Sequence, residues 1–285
     1  MAELETVLEG LAFGEGPRWH DGRLYFSDQH AHQVLALDPL GRIEEIVRVE
    51  QQPSGLGWTP GGSMLIVSML DRRLLRFETD RSHGPRLAEV ADLSALAAYH
   101  CNDMVVDAEG RAYVGNFGFD LDAGEQPRPA NIVAVEPDGS ARVVADDMLF
   151  PNGTVITPDG STLIVAETVG GRLTAFTIES DGSLSDRRVW AQLSGAVPDG
   201  ICLDAEDAIW VACPLTSRCL RVAEGGAILE EIATGQAAFA CMLGGDDRRT
   251  LYICTSELDA PAVTVARRPG RIRARRVDVP GAGLP

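Results

Sequence analysis

The chain has 285 residues, of which 45% are hydrophobic, and its 42 acidic residues outnumber its 25 basic ones to give a formal net charge of −17. So acidic a surface repels phosphate backbones, which argues against nucleic acid as a partner. Every basic residue other than histidine is arginine, and the lack of lysine excludes Schiff-base catalysis and a P-loop.

Six related hairpin sequences follow one another along the chain. Each has a short apolar strand, a polar turn rich in Asp, Pro and Gly, and a second strand that ends in small residues, which is typical of a β-hairpin. They are GEGPRWHDGRLYFSD at 14, PSGLGWTPGGSMLIVSM at 53, CNDMVVDAEGRAYVGN at 101, PNGTVITPDGSTLIVAE at 151, PDGICLDAEDAIWVACP at 198 and AFACMLGGDDRRTLYICT at 238.

Further strand patterns lie between the hairpins, which brings each repeat to about four strands. They are QVLALDP at 33, RLLRFET at 73, NIVAVEP at 131, RLTAFTI at 172 and RCLRVAE at 218, each followed by a turn and usually a weaker, more polar strand. Repeats of this length with four strands predict an all-β, six-bladed β-propeller with four antiparallel strands per blade. We expect residues 1–285 to form one such domain.

The two ends of the chain bear on how the ring closes. The stretch RIRARRVDV, 271–279, reads as the last outer strand, and ETVLEGL, 5–11, is expected to pair into the last blade so that no edge strand stays exposed. The only helix-like segment, residues 91–100, is expected on a loop. The alternative to a propeller is a pair of β-sandwiches whose hairpins resemble one another by chance.

One polar residue begins the first strand of most repeats. In a propeller these first strands line the central channel, so residues at matching positions meet around the axis. The hydroxyl, amide and carboxylate oxygens gathered in this way suit Ca²⁺, Mg²⁺ or Mn²⁺ better than a structural zinc. The alternative is that they cap the blades or bind channel water. The residues are Glu15, Ser54, Asn102, Asn152 and Asp199, with Phe239 in the sixth place.

The same residues carry a resemblance to a known family. EGPRW at 15, ND at 102, PNG at 151, PDGICLDAEDAIWVA at 198 and LGGDDRRTLYICT at 243 are similar to the senescence marker protein, gluconolactonase and luciferin-regenerating-enzyme family. The resemblance covers nearly the whole chain. It implies a six-bladed propeller with one catalytic divalent metal ion that hydrolyses lactones or other esters.

Site residues can be carried over from this resemblance position by position. Glu15, Asn152 and Asp199 match the metal ligands of the family, and Asp199 also matches its general base. Asn102 matches a residue that contacts the substrate near the metal. The implied cofactor is one divalent ion, Ca²⁺ first, with Zn²⁺, Mg²⁺ and Mn²⁺ as alternatives.

His100 is a departure from the family pattern. Sugar lactonases of this kind often carry arginine two residues before the motif asparagine, and an arginine offers a fixed fork of donors for polyhydroxyl or carboxylate groups. Histidine offers fewer donors and titrates near neutral pH. We expect His100 either to orient the substrate carbonyl or to act as an acid, unless it simply faces solvent.

The long loop GNFGFDLDAGEQPRP, 115–129, is a candidate lid. Phe117 and Phe119 on this loop could form an apolar wall of the pocket, which favours a lactone less polar than a sugar lactone. In the alternative interpretation these rings pack onto the blade.

The hypothesis from sequence is therefore a metal-dependent carboxylic ester hydrolase that opens a lactone, with Asp199 activating water. Two rivals stay open: a metal-dependent lyase, hydratase or isomerase on the same scaffold, and a ligand-binding propeller without catalysis. The expected partner is a small lactone or ester, and the oligomeric state is left open.

The compartment is inferred from what the sequence lacks. No apolar run approaches the roughly 20 residues that a bilayer-spanning helix needs, so we expect no membrane partner. The acidic start MAELETVLEG has no basic and apolar segments of a signal peptide, which favours the cytoplasm. The six cysteines form no C-x-x-C pair and are expected to be buried, reduced thiols.

Overall fold

The protein, described by a computed structural model over residues 3–80 and 84–284, is built almost entirely of short antiparallel strands. Alternating apolar residues and tight turns favour hairpins over helices throughout. In chain order the elements are β1 (Glu5–Leu11), β2 (Gly14–His20), β3 (Arg23–Asp28), β4 (Gln33–Leu37), β5 (Ile43–Arg48), β6 (Pro53–Trp58), β7 (Met64–Ser68), β8 (Arg73–Asp80), β9 (Gly84–Asp92), β10 (Cys101–Val106), β11 (Ala112–Asn116), β12 (Ala130–Val135), β13 (Ala141–Met148), β14 (Pro151–Ile156), β15 (Thr162–Glu167), β16 (Arg172–Ile178), β17 (Leu184–Gln192), β18 (Ile201–Leu203), β19 (Ile209–Cys213), β20 (Arg218–Val222), β21 (Ile228–Ala233), β22 (Ala237–Gly244), β23 (Thr250–Ser256), α1 (Pro261–Arg267) and β24 (Gly270–Arg276).

These strands form six four-stranded antiparallel sheets, the blades of a β-propeller, as predicted. Blades 1 to 5 are β2–β5, β6–β9, β10–β13, β14–β17 and β18–β21, and blade 6 has the order β1-β24-β23-β22. The N-terminal strand therefore closes the ring, with Glu5 opposite Ala274. The prediction for RIRARRVDV was wrong in one respect, because β24 lies third in its blade and β1 supplies the outer strand.

Burial falls from the channel outwards within each blade. Every residue of the inner strands β10 and β14 is buried, whereas the outer strand β5 is mostly exposed. The apolar side chains between neighbouring blades form separate core layers, such as the one that Tyr113 and Phe176 share between blades 3 and 4. Each large side chain buried in this way contributes roughly 1.5–3 kcal/mol.

Glycine follows the polar site position in four of the six inner strands, and the packing explains why. A Cβ on Gly55 would lie 2.5 Å from the backbone nitrogen of Met104, and one on Gly153 would lie 2.4 Å from that of Ile201. Both neighbours belong to the next blade. Without side chains here, the inner strands approach one another closely, which narrows the channel and brings its polar residues together.

We expect the substitution Gly153→Ala to lower the free energy of unfolding by roughly 1–3 kcal/mol, because the new methyl group must displace backbone atoms of blade 5. Gly61→Ala is the matched control, since its Cβ would meet only Thr59 Oγ1, at 3.8 Å. Urea denaturation of both variants measures the difference. Equal stabilities would show that the blades can separate at little cost.

The helix prediction was only partly right. Residues 91–100 hold the end of β9 and a turn in which the Ala97 nitrogen donates to the Leu93 oxygen at 2.8 Å, but they form no helix. The short helix α1 lies instead between β23 and β24. It starts with Pro261, which suits a first helical position. Within the described residues, no helix is long and apolar enough to cross a membrane.

The six cysteines are all free and buried, which confirms that prediction. The closest approach recorded between two thiols joins Cys202 Sγ and Cys241 Sγ, at 3.9 Å across blades 5 and 6. Burial raises the pKa of Cys101 and of Cys213 to about 12. These thiols therefore act as small apolar side chains in the core.

Candidate functional site

The polar residues predicted from the repeat register lie at one end of the channel, which we call the site face. The inner strands start there, and the loops between second and third strands also reach it, because antiparallel neighbours run in opposite directions. Phe239 on β22 fills the sixth position. The polar residues stand at or just before the starts of the inner strands of blades 1 to 5: Glu15, Ser54, Asn102, Asn152 and Asp199.

Glu15 and Asp199 form an electrostatically strained pair. Burial raises the pKa of Asp199 well above its usual range, the Glu15 carboxylate raises it further, and the Asn152 amide opposes the shift. Burial also raises the pKa of Glu15 to about 8, against the effect of the Gly16 N–H, which donates to Glu15 Oε2 at 2.9 Å. Burial thus disfavours ionisation of both carboxylates, and the Glu15 charge adds to this effect at Asp199.

A divalent cation fits this set of donors. Both carboxylates would keep their charge beside it, and Asn152, whose amide nitrogen donates to Thr168 Oγ1 at 3.1 Å, would supply its carbonyl oxygen as a ligand. These are hard oxygen donors of the kind that calcium and magnesium prefer. In the described part of the chain, no three His, Cys, Asp or Glu side chains group as a metal site, so a site with three protein ligands here would have to include the amide oxygen.

A second polar group lies beside this set, in blades 1 to 4. Gln29 Nε2 donates to Ser54 Oγ at 3.4 Å, Ser54 Oγ to Asn102 Oδ1 at 3.4 Å, and Asn102 Nδ2 to the Pro151 oxygen at 3.5 Å. All three exceed the usual range of about 2.7–3.2 Å. Ser54 and Asn102 are nonetheless buried, so these long hydrogen bonds leave their polar atoms only weakly satisfied, and contact of Asn102 with a substrate stays a prediction.

His100 lies half-buried at the junction of blades 2 and 3 on the site face. Its ring stacks on Tyr99 with a centroid distance of 4.0 Å and meets Phe117 edge-on at 6.2 Å. Its backbone oxygen accepts a hydrogen bond from the Phe117 nitrogen at 3.0 Å. Burial lowers the pKa of His100, and the loop carboxylates of Asp122 and Asp120 oppose the shift.

The loop phenylalanines divide into one partly exposed ring and one buried ring. Phe117 packs against Phe150 at 4.4 Å and keeps some surface on the site face. Phe119 is only 2% exposed and meets Phe150 edge-on at 5.8 Å. Phe119 thus packs within the fold, and its direct contact with a substrate stays a prediction.

An aromatic wall that sequence reasoning missed lies where blades 6 and 1 meet. Phe13 stacks on His30 and tilts against Phe239, each at 4.5 Å. His30 Nδ1 lies 2.7 Å from Oγ1 of Thr264, a fully buried residue of α1. The signal available in the sequence was the position of Phe13, two residues before Glu15.

We expect His30 to make the protein less stable in acid. Burial, helped by His32, lowers the pKa of His30 from its ordinary 6.5 to about 4. The unfolded chain therefore binds a proton at His30 more readily than the folded chain does. The free energy of unfolding consequently falls as pH drops from about 6.5 to 4. Between pH 7 and 4, wild type should lose on the order of 2 kcal/mol more than His30→Gln. Urea denaturation across this pH range measures the loss of stability in wild type, in His30→Gln and in the control His20→Gln. Equal losses in wild type and His30→Gln would contradict the prediction.

Acidic residues at the ends of second strands fix the segments that lead into the site. Asp28 accepts the Phe13 N–H at 2.8 Å and the Ala12 N–H at 3.2 Å. Glu167, fully buried, accepts the Leu149 N–H at 2.7 Å and is paired with Arg172 at 2.8 Å. These carboxylates act as caps for the chain just before Glu15 and Asn152, so they position the candidate ligands.

Comparisons with known proteins show which family and which solved structures this chain resembles. The model of the SMP-30/Gluconolactonase/LRE-like region matches residues 13–257. A 6-deoxy-6-sulfogluconolactonase from Pseudomonas putida is 29% identical over 98% of this chain and 96% of its own, and regucalcin from Xenopus laevis is 26% identical over 88% and 85%. A luciferin-regenerating enzyme superposes with a TM-score of 0.84 at 18% identity, covering 100% and 99% of the two chains. The calcium-binding protein regucalcin from Agrobacterium tumefaciens gives 0.81 at 22%, covering 100% and 97%.

Proposed function

The chain belongs to the SMP-30/gluconolactonase/LRE-like family, and from that premise we propose that it is a metal-dependent hydrolase that opens a lactone ring. The observation that carries the proposal is the interaction of Glu15, Asn152 and Asp199 at the channel end, beside Asn102. The name of the sulfogluconolactonase relative supports the reaction class.

Glu15, Asn152 and Asp199 would hold the metal ion. We favour Ca²⁺, because the donors are hard oxygens and a similar structure is named a calcium-binding protein; Zn²⁺, Mg²⁺ and Mn²⁺ are the alternatives. When bound, such an ion supplies Lewis-acid polarisation of the carbonyl and stabilises developing negative charge on its oxygen.

Asp199 is the general base in this proposal. Its carboxylate takes a proton from the attacking water while the water oxygen bonds to the carbonyl carbon. The ring carbon–oxygen bond then breaks, and the departing ring oxygen takes the proton back from Asp199. Asn102 orients the substrate in this proposal, because its amide nitrogen makes only a long hydrogen bond of 3.5 Å to the Pro151 oxygen and can donate to the substrate instead.

We assign His100 to substrate orientation rather than to acid catalysis. Burial lowers its pKa, so its ring is neutral at pH 7 and donates only through one N–H. A neutral ring stacked on Tyr99 replaces the charged fork that an arginine would provide. This exchange disfavours substrates that need a cationic partner, such as sugar acids.

The substrate we propose carries an apolar part. Phe117 and Phe150 wall one side of the site face, and Phe13 and Phe239 wall the other. The loops of blades 3 to 6 on the site face add large exposed apolar side chains. A sugar lactone would need polar side chains there to hydrogen-bond its hydroxyl groups. Those side chains are Leu121, Val169, Leu215, Leu258, Val263 and Val265.

A lactone panel with Ca²⁺ present tests the proposal. We expect kcat/KM for the alkyl-substituted δ-decalactone to exceed that for δ-gluconolactone by about tenfold or more, as apolar contacts of several methylenes allow. Phe117→Ala should remove most of this preference. Leu40→Ala, which truncates an exposed leucine at the opposite end of blade 1, should leave it unchanged.

Product analysis separates hydrolysis from the rival reactions. Hydrolysis adds one water to the lactone, and ¹⁸O from labelled water must appear in the product carboxylate. A product of unchanged mass would favour an isomerase, and saturable binding without turnover would favour a binding protein. A preference for δ-gluconolactone would leave hydrolysis standing but reject the apolar substrate.

A further inference from the structure

Two charged residues break the repeat pattern of the inner strands. The place after the site position holds Gly16, Gly55, Gly153, Gly200 and Ala240 in five blades, but Asp103 in blade 3. Three residues after Glu15 stands Arg18, where the other five blades carry glycine or an apolar residue. Both charged side chains are buried, with exposed fractions of 2% for Arg18 and 7% for Asp103.

These two departures pair with each other. Arg18 Nη2 donates to Asp103 Oδ1 at 2.6 Å and to the Met104 oxygen at 2.7 Å, Nε donates to the Leu56 oxygen at 3.0 Å, and Nη1 to the Pro17 oxygen at 2.8 Å. The guanidinium thus joins blades 1, 2 and 3. Asp103 Oδ1 also accepts its neighbouring Met104 N–H, at 2.8 Å.

The pair lies within electrostatic reach of the candidate metal ligands. The Asp103 charge acts on both Glu15 and Asp199, and the Arg18 charge acts on Glu15. With all three carboxylates ionised, as they would be beside a bound cation, they and the one guanidinium leave two negative charges. That is the charge that a divalent ion cancels, whereas the same channel without Arg18 would carry three.

A purely structural explanation accounts less well for the pair. A buried ion pair seldom stabilises a fold more than apolar residues of similar volume would, because both charges lose their hydration. The matching places of the other blades are filled by glycine and apolar residues without such a pair. A charged pair only here, beside the two carboxylate ligands, points to a role in the charge of the site.

We propose that the Arg18–Asp103 pair sets the net charge of the candidate metal centre and so makes it select divalent over trivalent cations. Arg18 and Asp103 are positioning residues in this proposal, since neither is among the candidate ligands. The proposal rests on the proposed function, because it assumes that Glu15, Asn152 and Asp199 bind a cation.

The test compares Ca²⁺ and Tb³⁺ binding to the full chain after chelation, by calorimetry and by terbium luminescence. Arg18→Met should raise the ratio of Tb³⁺ to Ca²⁺ affinity by about tenfold, and Asp103→Asn should lower it similarly, as one unit charge near a partly shielded site implies. The double variant R18M/D103N restores the charge and should return the ratio to within about threefold of wild type.

The outcomes separate this inference from the function on which it rests. Wild type that binds neither ion would overturn both. Wild type that binds Ca²⁺, with an unchanged ratio in the variants, would overturn the charge-setting role alone. If circular dichroism shows that Arg18→Met does not fold, the Tb³⁺ to Ca²⁺ affinity ratio of Asp103→Asn is compared with that of wild type instead. This variant keeps the side-chain shape and changes the charge, so an unchanged ratio would again overturn the charge-setting role.

Discussion

Asp199→Asn is expected to reduce kcat for lactone hydrolysis by about 10²–10⁴-fold, the range typical for loss of a general base. Asparagine has nearly the same shape, so the narrow approach of blades 4 and 5 around Gly153 and Gly200 should be kept. Initial rates at saturating lactone and saturating Ca²⁺ measure the effect. Circular dichroism and thermal melting check that the variant is folded.

Asp199 has two proposed roles, and a second variant separates them. Glu15→Gln also removes a charged candidate ligand, but it leaves the proposed base in place. A high Ca²⁺ concentration should therefore recover part of the activity of Glu15→Gln and none of the activity of Asp199→Asn. Asp138→Asn, an exposed acid in a turn of blade 3, should behave as wild type. Near-wild-type turnover by Asp199→Asn would remove this residue as the base.

Chelation of divalent ions is expected to abolish hydrolysis reversibly and to lower the melting temperature. An ion bound only by the folded state stabilises it by about 2.7 kcal/mol at a concentration 100 times its Kd. It would also relieve the repulsion between Glu15 and Asp199. Adding back Ca²⁺, Mg²⁺, Mn²⁺ and Zn²⁺ one at a time, with rates and melting curves for each, identifies the ion that serves best.

Asn102→Ala supplies the contrast for that experiment. Asn102 is proposed to contact the substrate and not the ion, so the variant should lose activity while Ca²⁺ still raises its melting temperature. Asn152→Ala should lose both responses. Full activity of metal-free wild type would reject the metal role outright.

The architecture could be predicted because each repeat can be recognised from a short stretch of sequence. Each hairpin carries its own apolar strands and turn, and one shared phase is enough to bring Glu15, Asn152 and Asp199 to one end of a ring. The place of RIRARRVDV was harder to predict, since its alternating arginines are also typical of an outer strand with one exposed face, whereas ETVLEGL shows no such alternation.

The surroundings of the site could not be predicted, because they depend on contacts between distant segments. His30 and Thr264 are 234 residues apart, and the segments that carry them have no repeat pattern. Arg18 and Asp103 are 85 residues apart. Sequence register shows that each is unusual in its place, but only the closeness of blades 1 and 3 shows that they meet.

Closure of the ring by β1 has a consequence for how the chain reaches this structure. β1 leaves the ribosome before the other strands described here but belongs to the last blade, so it must wait until β24, more than 250 residues later, has been synthesised. Contacts of such sequence separation slow folding. Once synthesised, β24 presents an open edge to other chains until β1 pairs with it, so newly made molecules are most at risk of aggregation just before these two strands join.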